Sequence, residues 1–158
     1  MLLGIYLNDH LAGATGGREL ARRAATNNRT SDYGPFLERL AQEISEDRES
    51  LLAIMRALGV RTDPLKVIVG WGAEKVGRLK LNGRLLGYSP LSRLVELEGL
   101  AIGVFAKLLL WRSLEQLEPE RLSSAGPALS DLIERAERQL DGLELHRKRA
   151  MTEVLVSD

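Results

Sequence analysis

The sequence predicts an all-α protein: a four-helix bundle with a long crossover, containing a short helix, between its second and third helices. The first supporting observation is an almost unbroken apolar run from Leu97 to Trp111, which only Glu98 and Lys107 interrupt. A helix that is apolar on nearly every face must be surrounded by other elements, so this run belongs to a central helix. The second observation is that apolar residues recur at three- and four-residue spacing in the segments on either side of it.

The first helix is predicted over about residues 5–26 and is rich in small residues. Its segment 12–17 consists of glycine and alanine apart from one threonine. A glycine inside a helix costs about 1 kcal/mol relative to alanine. We therefore expect this segment to serve a close approach to another helix, with Gly99 and Gly103 of the central helix on the facing surface.

The other helices have clear boundary signals. Pro35 stands at the start of the second helix, and Gly59 follows its last apolar residue, where many helices end in a left-handed conformation. The polar turn before Pro35 is short, so the first two helices are predicted to pack as an antiparallel hairpin. Ser89 and Pro90 mark the start of the central helix, because proline at the first helical position loses no needed N–H. The later helices are predicted over about residues 35–58, 65–81, 90–117 and 127–155.

These elements are ordered as hairpin, long connection, hairpin. A second helix of about 24 residues would be roughly 36 Å long. The connection that follows it, part helical and part extended, is long enough to return the chain to the end where that helix began. One long crossover between two antiparallel pairs is the connectivity of ferritin-like bundles rather than of simple up-down bundles.

Composition excludes several classes of partner. The 22 basic and 22 acidic residues balance, and neither sign is concentrated in a tail, so no nucleic-acid or anionic-lipid binding is expected. Cysteine is absent, which excludes disulfides and thiolate metal sites. The central apolar run is shorter than the roughly 20 residues of a membrane span, and the first residues, MLLGIYLNDH, lack the features of a signal peptide. We therefore expect one cytoplasmic domain over residues 1–158, with no membrane span.

The chain resembles a bacterial branch of the ferritin-like superfamily in its predicted topology and in three stretches, YLNDHLAGATGGRELARR, EISEDRESLLAIMRALGV and SRLVELEGLAIGVFAKLLLW. In the metal-loaded members, a Glu from each of two helices and a Glu-x-x-His pair from each of the other two hold two metal ions. This sequence lacks the full di-iron ligand set. Its second helix offers no histidine, and His146 on the last helix stands at a different spacing. The best surviving set for a single iron, manganese or zinc ion is Glu43, Glu98 and His146.

Four charged residues are predicted to fill the core instead. Arg18, Asp47, Glu98 and Arg147 project near the centres of apolar stripes, and their distances from the helix ends, at about 1.5 Å per residue, put them in one or two adjacent layers. Guanidinium offers five donors that match carboxylate, and two such cations would repel a metal ion. We therefore expect salt bridges in place of a metal, and no cofactor. The alternative is that these side chains lie at stripe edges with their charges in solvent.

Three functions remain open. The favoured prediction is a non-catalytic bundle with a structural or interaction role, acting as a homo-oligomer and most simply as a homodimer; no nucleophile–base arrangement supports an enzyme. The second is a divergent metal-dependent oxidoreductase that uses Glu43, Glu98 and His146. The third is binding of a lipid or other hydrophobic molecule between helices, which needs an apolar cavity. The apolar segment of residues 67–72 is a candidate partner-facing surface, or a cover for the open edge of the bundle.

Overall fold

The computed structural model describes residues 2–64, 87–117, 122 and 126–156. Within these ranges the chain forms four long helices and no strand: α1 (Leu2–Asn27), α2 (Gly34–Ala57), α3 (Pro90–Leu114) and α4 (Leu129–Val156). The all-α prediction with four packed helices is confirmed. The predicted short helix of residues 65–81 and the segment of residues 67–72 lie outside the described residues. None of the four described helices combines the length and the apolar character that a membrane crossing requires.

The end of α2 is fixed by the glycine that the sequence indicates. Gly59 has a φ of +68°, a conformation that glycine adopts without strain. The N–H of Gly59 donates to the carbonyl of Arg56, and the N–H of Val60 donates to the carbonyl of Met55. These two bonds satisfy carbonyls that the helix end would otherwise leave without a partner.

The start of α3 is fixed by a reciprocal pair of serines. The hydroxyl of Ser89 accepts from the backbone N–H of Ser92, and the backbone N–H of Ser89 donates to the hydroxyl of Ser92. Pro90 occupies the first turn, as expected for a residue whose φ is already helical. The predicted start of the central helix is therefore confirmed.

The four helices pack as two antiparallel hairpins, α1 with α2 and α3 with α4, and the hairpins meet mainly through α1 and α3. Arg23 near the end of α1 contacts Glu96 near the start of α3. Tyr6 near the start of α1 contacts Ser113 near the end of α3. Helices α1 and α3 are therefore antiparallel as well.

The start of α3 lies at the end of the bundle where α2 also starts. Asn28, in the turn between α1 and α2, accepts a hydrogen bond from Arg93 in the first turn of α3. At the same end, Tyr33 just before α2 donates to Glu153 near the end of α4. Helix α2 ends at the opposite side of the molecule, where Asn8 of α1 donates to the carbonyl of Arg61.

Helix α3 is enclosed over only part of its circumference, which differs from the prediction of a fully surrounded central helix. Its buried side packs into a mainly aliphatic core, in which Trp111 is the largest buried side chain. Its other side leaves large apolar residues in solvent, namely Ile102, Phe105 and Leu109. The apolar run therefore has two surfaces, one inside the bundle and one outside it.

The small residues of α1 and α3 do not meet in the close approach that we expected. A β-carbon placed on Gly13, Gly17 or Gly103 would meet no atom within 4 Å. Gly99 differs from these three, because a β-carbon there would lie 3.2 Å from a methyl group of Leu20. Because Leu20 packs against α3 there, the two helices stay apart along the remaining glycines and a gap is left between them.

Candidate functional site

Asp47 on α2 is the most deeply buried charged residue of the described bundle, with 2% of its side chain exposed. It faces inward because it shares a stripe with Ile44 and Leu51, one turn before and one turn after it. Its carboxylate accepts hydrogen bonds from Lys107 of α3, and from Gln139 and Arg135 of α4. One carboxylate thus ties together three helices from both hairpins.

Lys107 supplies the main counter-charge. Its Nζ donates to Oδ2 of Asp47 and to Oε1 of Gln139, and only 14% of its side chain is exposed. Burial removes water from the ammonium and lowers the pKa of Lys107 from its ordinary value, an effect that Asp47 opposes. We call Asp47, Lys107 and Gln139 the central triad.

Two further groups surround the central triad. The amide nitrogen of Gln139 donates to Glu43 at 2.9 Å, so this one side chain accepts from an ammonium and donates to carboxylates. Arg135 lies 3.2 Å from Asp47 and 3.1 Å from the more exposed Glu46. Each buried charge therefore has at least one partner of opposite sign or a hydrogen-bonding amide, as buried charges require.

The structure does not bring Arg18, Asp47, Glu98 and Arg147 together, which differs from the predicted polar core. Glu98 and Arg147 lie 3.8 Å apart at the surface, with 48% and 31% of their side chains exposed. Arg147 also bonds to Glu144, one turn earlier on α4. Arg18 lies 3.6 Å from Glu19, its neighbour in sequence. Of the four, only Asp47 is in the core, because the others stand at the edges of their helix stripes.

The residues present do not fit the metal centre that the resemblance implies. Glu43 and His146 line one groove between α2 and α4, whereas Glu98 lies on the exposed face of α3. The ring of His146 stacks on Phe36 at 4.0 Å, and its Nδ1 lies 2.8 Å from the carbonyl of Gly142. Across the described parts of the chain, no three His, Asp or Glu side chains are grouped so as to hold a metal ion. Near the middle of the bundle, the cation beside the buried carboxylate of Asp47 is the ammonium of Lys107.

A second polar cluster lies at the end of the bundle where α2 and α3 begin. We call it the end network, and its members are Arg23, Asn28, Tyr33, Tyr88, Arg93, Glu96 and Glu153. Glu96 accepts from Arg23 at 2.9 Å and from the hydroxyl of Tyr88 at 2.8 Å. Asn28 in turn donates to that hydroxyl and accepts from Arg93, both at 2.6 Å.

The end network continues into α4. Arg93 donates to Glu153 at 2.6 Å, and the hydroxyl of Tyr33 donates to the same carboxylate at 2.9 Å. The guanidinium of Arg93 also lies over the ring of Tyr33, 4.5 Å from its centroid. Burial is the main cause that raises the pKa of Tyr33 and of Tyr88 above the ordinary tyrosine range, and hydrogen bonds to Glu153 and Glu96 raise them further.

Sequence reasoning missed Lys107, Gln139 and Arg135, although the first two had a detectable signal. Lys107 is the only cation within the apolar run of α3 and falls at helical spacing from Val104 and Trp111. Gln139 lies one turn after Ala136 and one before Leu143, inside the buried stripe of α4. A polar residue in such a stripe usually needs a buried partner.

The chain matches no family model, no curated protein and no solved structure.

Proposed function

We propose that this chain is a ferritin-like helical bundle without a metal centre, and that it works by association, as a homodimer formed through the exposed face of α3. The observation that carries the association role is the stripe of Ile102, Phe105 and Leu109, whose exposed fractions are 73%, 52% and 46%. Their spacing of three and four residues puts them on one face of the helix. Contiguous exposed apolar surface of this kind marks interaction sites.

Charged residues flank this stripe symmetrically. Glu98 precedes Phe105 by as many residues as Arg112 follows it, and about half of each side chain is exposed. In a dimer with a two-fold axis near Phe105, two antiparallel α3 helices face each other and Glu98 of each protomer faces the partner's Arg112. A two-fold interface uses the same patch on both subunits, and opposite charges at its rim fix the register.

The polar core supports the absence of a metal centre. Both oxygens of the Asp47 carboxylate already accept hydrogen bonds, from Lys107 and Gln139 on one oxygen and from Arg135 on the other. A divalent cation at Asp47 would have to displace an ammonium that is held in the same place. The like charge of Arg135 adds a further repulsion.

The directions of the helices support the ferritin-like assignment. Two antiparallel hairpins are present, and α2 and α3 start at the same end of the bundle. That arrangement is what a single long crossover between the second and third helices would produce. A simple up-down bundle would instead start α3 at the end where α2 stops.

Sedimentation velocity tests the association role. We expect a wild-type dimer, and we expect Phe105→Glu to weaken it about 30-fold or more, since losing a central apolar contact and burying a charge costs about 2 kcal/mol or more. Leu155→Glu is the matched control, because Leu155 is 66% exposed on α4 but lies away from the stripe. A wild-type monomer at all concentrations, or equal effects of the two variants, would contradict the proposal.

A charge reversal tests the geometry of the dimer. Glu98→Arg should weaken it, because two arginines would then face each other across the axis. Adding Arg112→Glu should restore association, since the opposite charges again face each other between protomers. Repulsion within each chain, from Arg147 and Glu137 respectively, persists in the double variant, so recovery reports on the contact between chains. Further weakening in the double variant would exclude this interface.

A further inference from the structure

A cavity of about 120 Å³ lies between α1, α2 and α3, next to the central triad. Most of its wall is aliphatic, and the side chains that form it include Ile44, Leu51, Leu100, Val104 and Leu110. The lining residues with polar side-chain atoms are His10, Asp47, Arg48, Lys107 and Trp111. An apolar cavity of about 150 Å³ in another protein binds benzene, so this smaller one has room for a molecule of about five or six non-hydrogen atoms.

One hydrogen-bond donor beside this cavity has no acceptor among the described residues. Trp111 is 1% exposed, and its indole N–H is buried without a partner. A buried donor without a partner is rare in native proteins and calls for a missing acceptor. A ligand in the cavity would supply one.

The glycines give a second reason to expect a ligand. Gly13 and Gly17 of α1 and Gly103 of α3 line the cavity, and a β-carbon on any of them would meet nothing within 4 Å. Each costs about 1 kcal/mol of helix stability relative to alanine, without the close helix contact that would offset the cost. Gly13 and Gly103 are also exposed, so they mark the opening of the cavity to solvent.

We propose that this cavity binds a small neutral apolar molecule carrying one carbonyl or hydroxyl oxygen, which accepts a hydrogen bond from the indole of Trp111. Neutrality follows from the charges around the site. Lys107 is matched by Asp47, and Arg48, which also lines the cavity, is matched by Glu49. A carboxylate ligand would therefore bring an unmatched negative charge against Asp47. A cationic ligand would meet the ammonium of Lys107. This site does not depend on the dimer interface, since Ile102, Phe105 and Leu109 do not line it.

Cyclopentanone is a suitable probe, and the readout is the NMR signal of the Trp111 indole N–H in a Trp71→Phe background. We expect a saturable shift of that signal and a higher melting temperature with cyclopentanone. Methylcyclopentane, which has no acceptor, should bind about tenfold more weakly, as expected for the loss of one hydrogen bond. Cyclopentanecarboxylate should not bind.

Variants at the opening show whether the probe is inside. Gly103→Leu and, from the other helix, Gly13→Leu should abolish the saturable shift, whereas the matched controls Gly103→Ala and Gly13→Ala should retain it. Trp111→Phe removes the NMR reporter, so its binding is read from the melting temperature, and it should show no preference for cyclopentanone over methylcyclopentane. Three results would each overturn the proposal. They are no saturable shift with any probe, an unchanged shift in both leucine variants, and a cavity that holds only water that the probes do not displace. None of these readouts is the sedimentation measurement that tests the dimer.

Discussion

The central triad and the end network both tie the two hairpins together, but they differ in how much water reaches their charges. In the central triad Asp47 and Lys107 are 2% and 14% exposed. In the end network Glu96 and Arg93 are 11% and 17% exposed, and Arg23 and Glu153 are 24% and 34% exposed. Neutral tyrosine and asparagine side chains also link the charges of the end network.

This difference determines what each cluster does for stability. A buried ion pair gains little over apolar residues of the same size, but losing one partner leaves a charge without compensation. A partly hydrated network loses mainly the hydrogen bonds that are removed. We therefore expect the central triad to respond more strongly to a single substitution than the end network does.

The largest effect is expected for Lys107→Met. It leaves the Asp47 carboxylate with only Arg135 and Gln139 in a buried site. Because Arg135 still faces Asp47, we expect the free energy of unfolding to fall by about 3 kcal/mol, the low end of the range for breaking a buried ion pair. Urea denaturation measures it. The double variant Lys107→Met with Asp47→Leu should recover most of the loss, because neither charge is then left alone.

The matched control for this prediction is Arg138→Met. Arg138 pairs with Glu134, and more than half of each side chain is exposed, so its loss should cost at most about 1 kcal/mol. If Lys107→Met costs no more than this control, Asp47 is not buried as the structure places it.

A smaller effect is expected for Arg93→Met in the end network. Arg93 joins the turn after α1, through Asn28, to α4, through Glu153. Losing both bonds should cost about 2 kcal/mol in the same denaturation experiment. Arg93→Lys should recover little of it, because a single ammonium lacks the planar fork that reaches both partners. A cost above that of Lys107→Met would reverse the comparison between the two clusters.

Stability changes with pH in opposite directions in the two clusters. The pKa of Tyr88 is raised in the folded protein above the value of 10.0 for an unfolded tyrosine. Above pH 10.0 the folded state therefore binds more protons than the unfolded state, and the free energy of unfolding falls as pH rises. Lys107 acts in the opposite sense, because its pKa is lowered. Its contribution to the free energy of unfolding rises with pH up to 10.5, the pKa of an unfolded lysine, and is constant above that pH.

The measurement is a series of denaturation curves at alkaline pH. Tyr88→Phe should show a shallower decline of the free energy of unfolding above pH 10.0 than the wild type does, because one raised pKa has been removed. An equal slope in both proteins would show that Tyr88 ionises in the folded state as freely as in the unfolded one.

The smallest effect is expected for Glu98→Gln. Glu98 is half exposed, and its contact with Arg147 is 3.8 Å long. Pairs of this kind are worth little in water, so we expect a change within about 0.5 kcal/mol, measured by thermal or urea unfolding. A fall of several kcal/mol in the free energy of unfolding would instead indicate that Glu98 faces the core, as the sequence suggests.

The contrast between Glu98 and Lys107 shows where sequence reasoning succeeds and where it does not. Both residues interrupt the apolar run of α3, and their separation of nine residues, at about 100° per residue, puts them on opposite faces of the helix. One of them had to be inside and the other outside. When apolar residues line nearly every face of a helix, their periodicity cannot show which of the two charged residues is buried. Packing of α3 against α2 and α4 decides which one faces the core.

Other features were local and therefore predictable. Three of them depend on a few neighbouring residues each: the glycine at the end of α2, the serine–proline start of α3 and the inward position of Asp47. The gap beside Gly13 and Gly103 was not predictable, because the distance between two helices depends on larger side chains elsewhere along the contact, such as Leu20 against Gly99.

The central claim is that the ammonium of Lys107 occupies the position beside Asp47 that a bound metal ion would need. Elemental analysis of the protein, purified without chelators and dialysed after exposure to iron(II), manganese(II) and zinc(II), tests it most directly. The account predicts far less than one equivalent of any of these metals per chain. One or two equivalents that survive dialysis and are lost in Glu43→Gln or Asp47→Asn would contradict it.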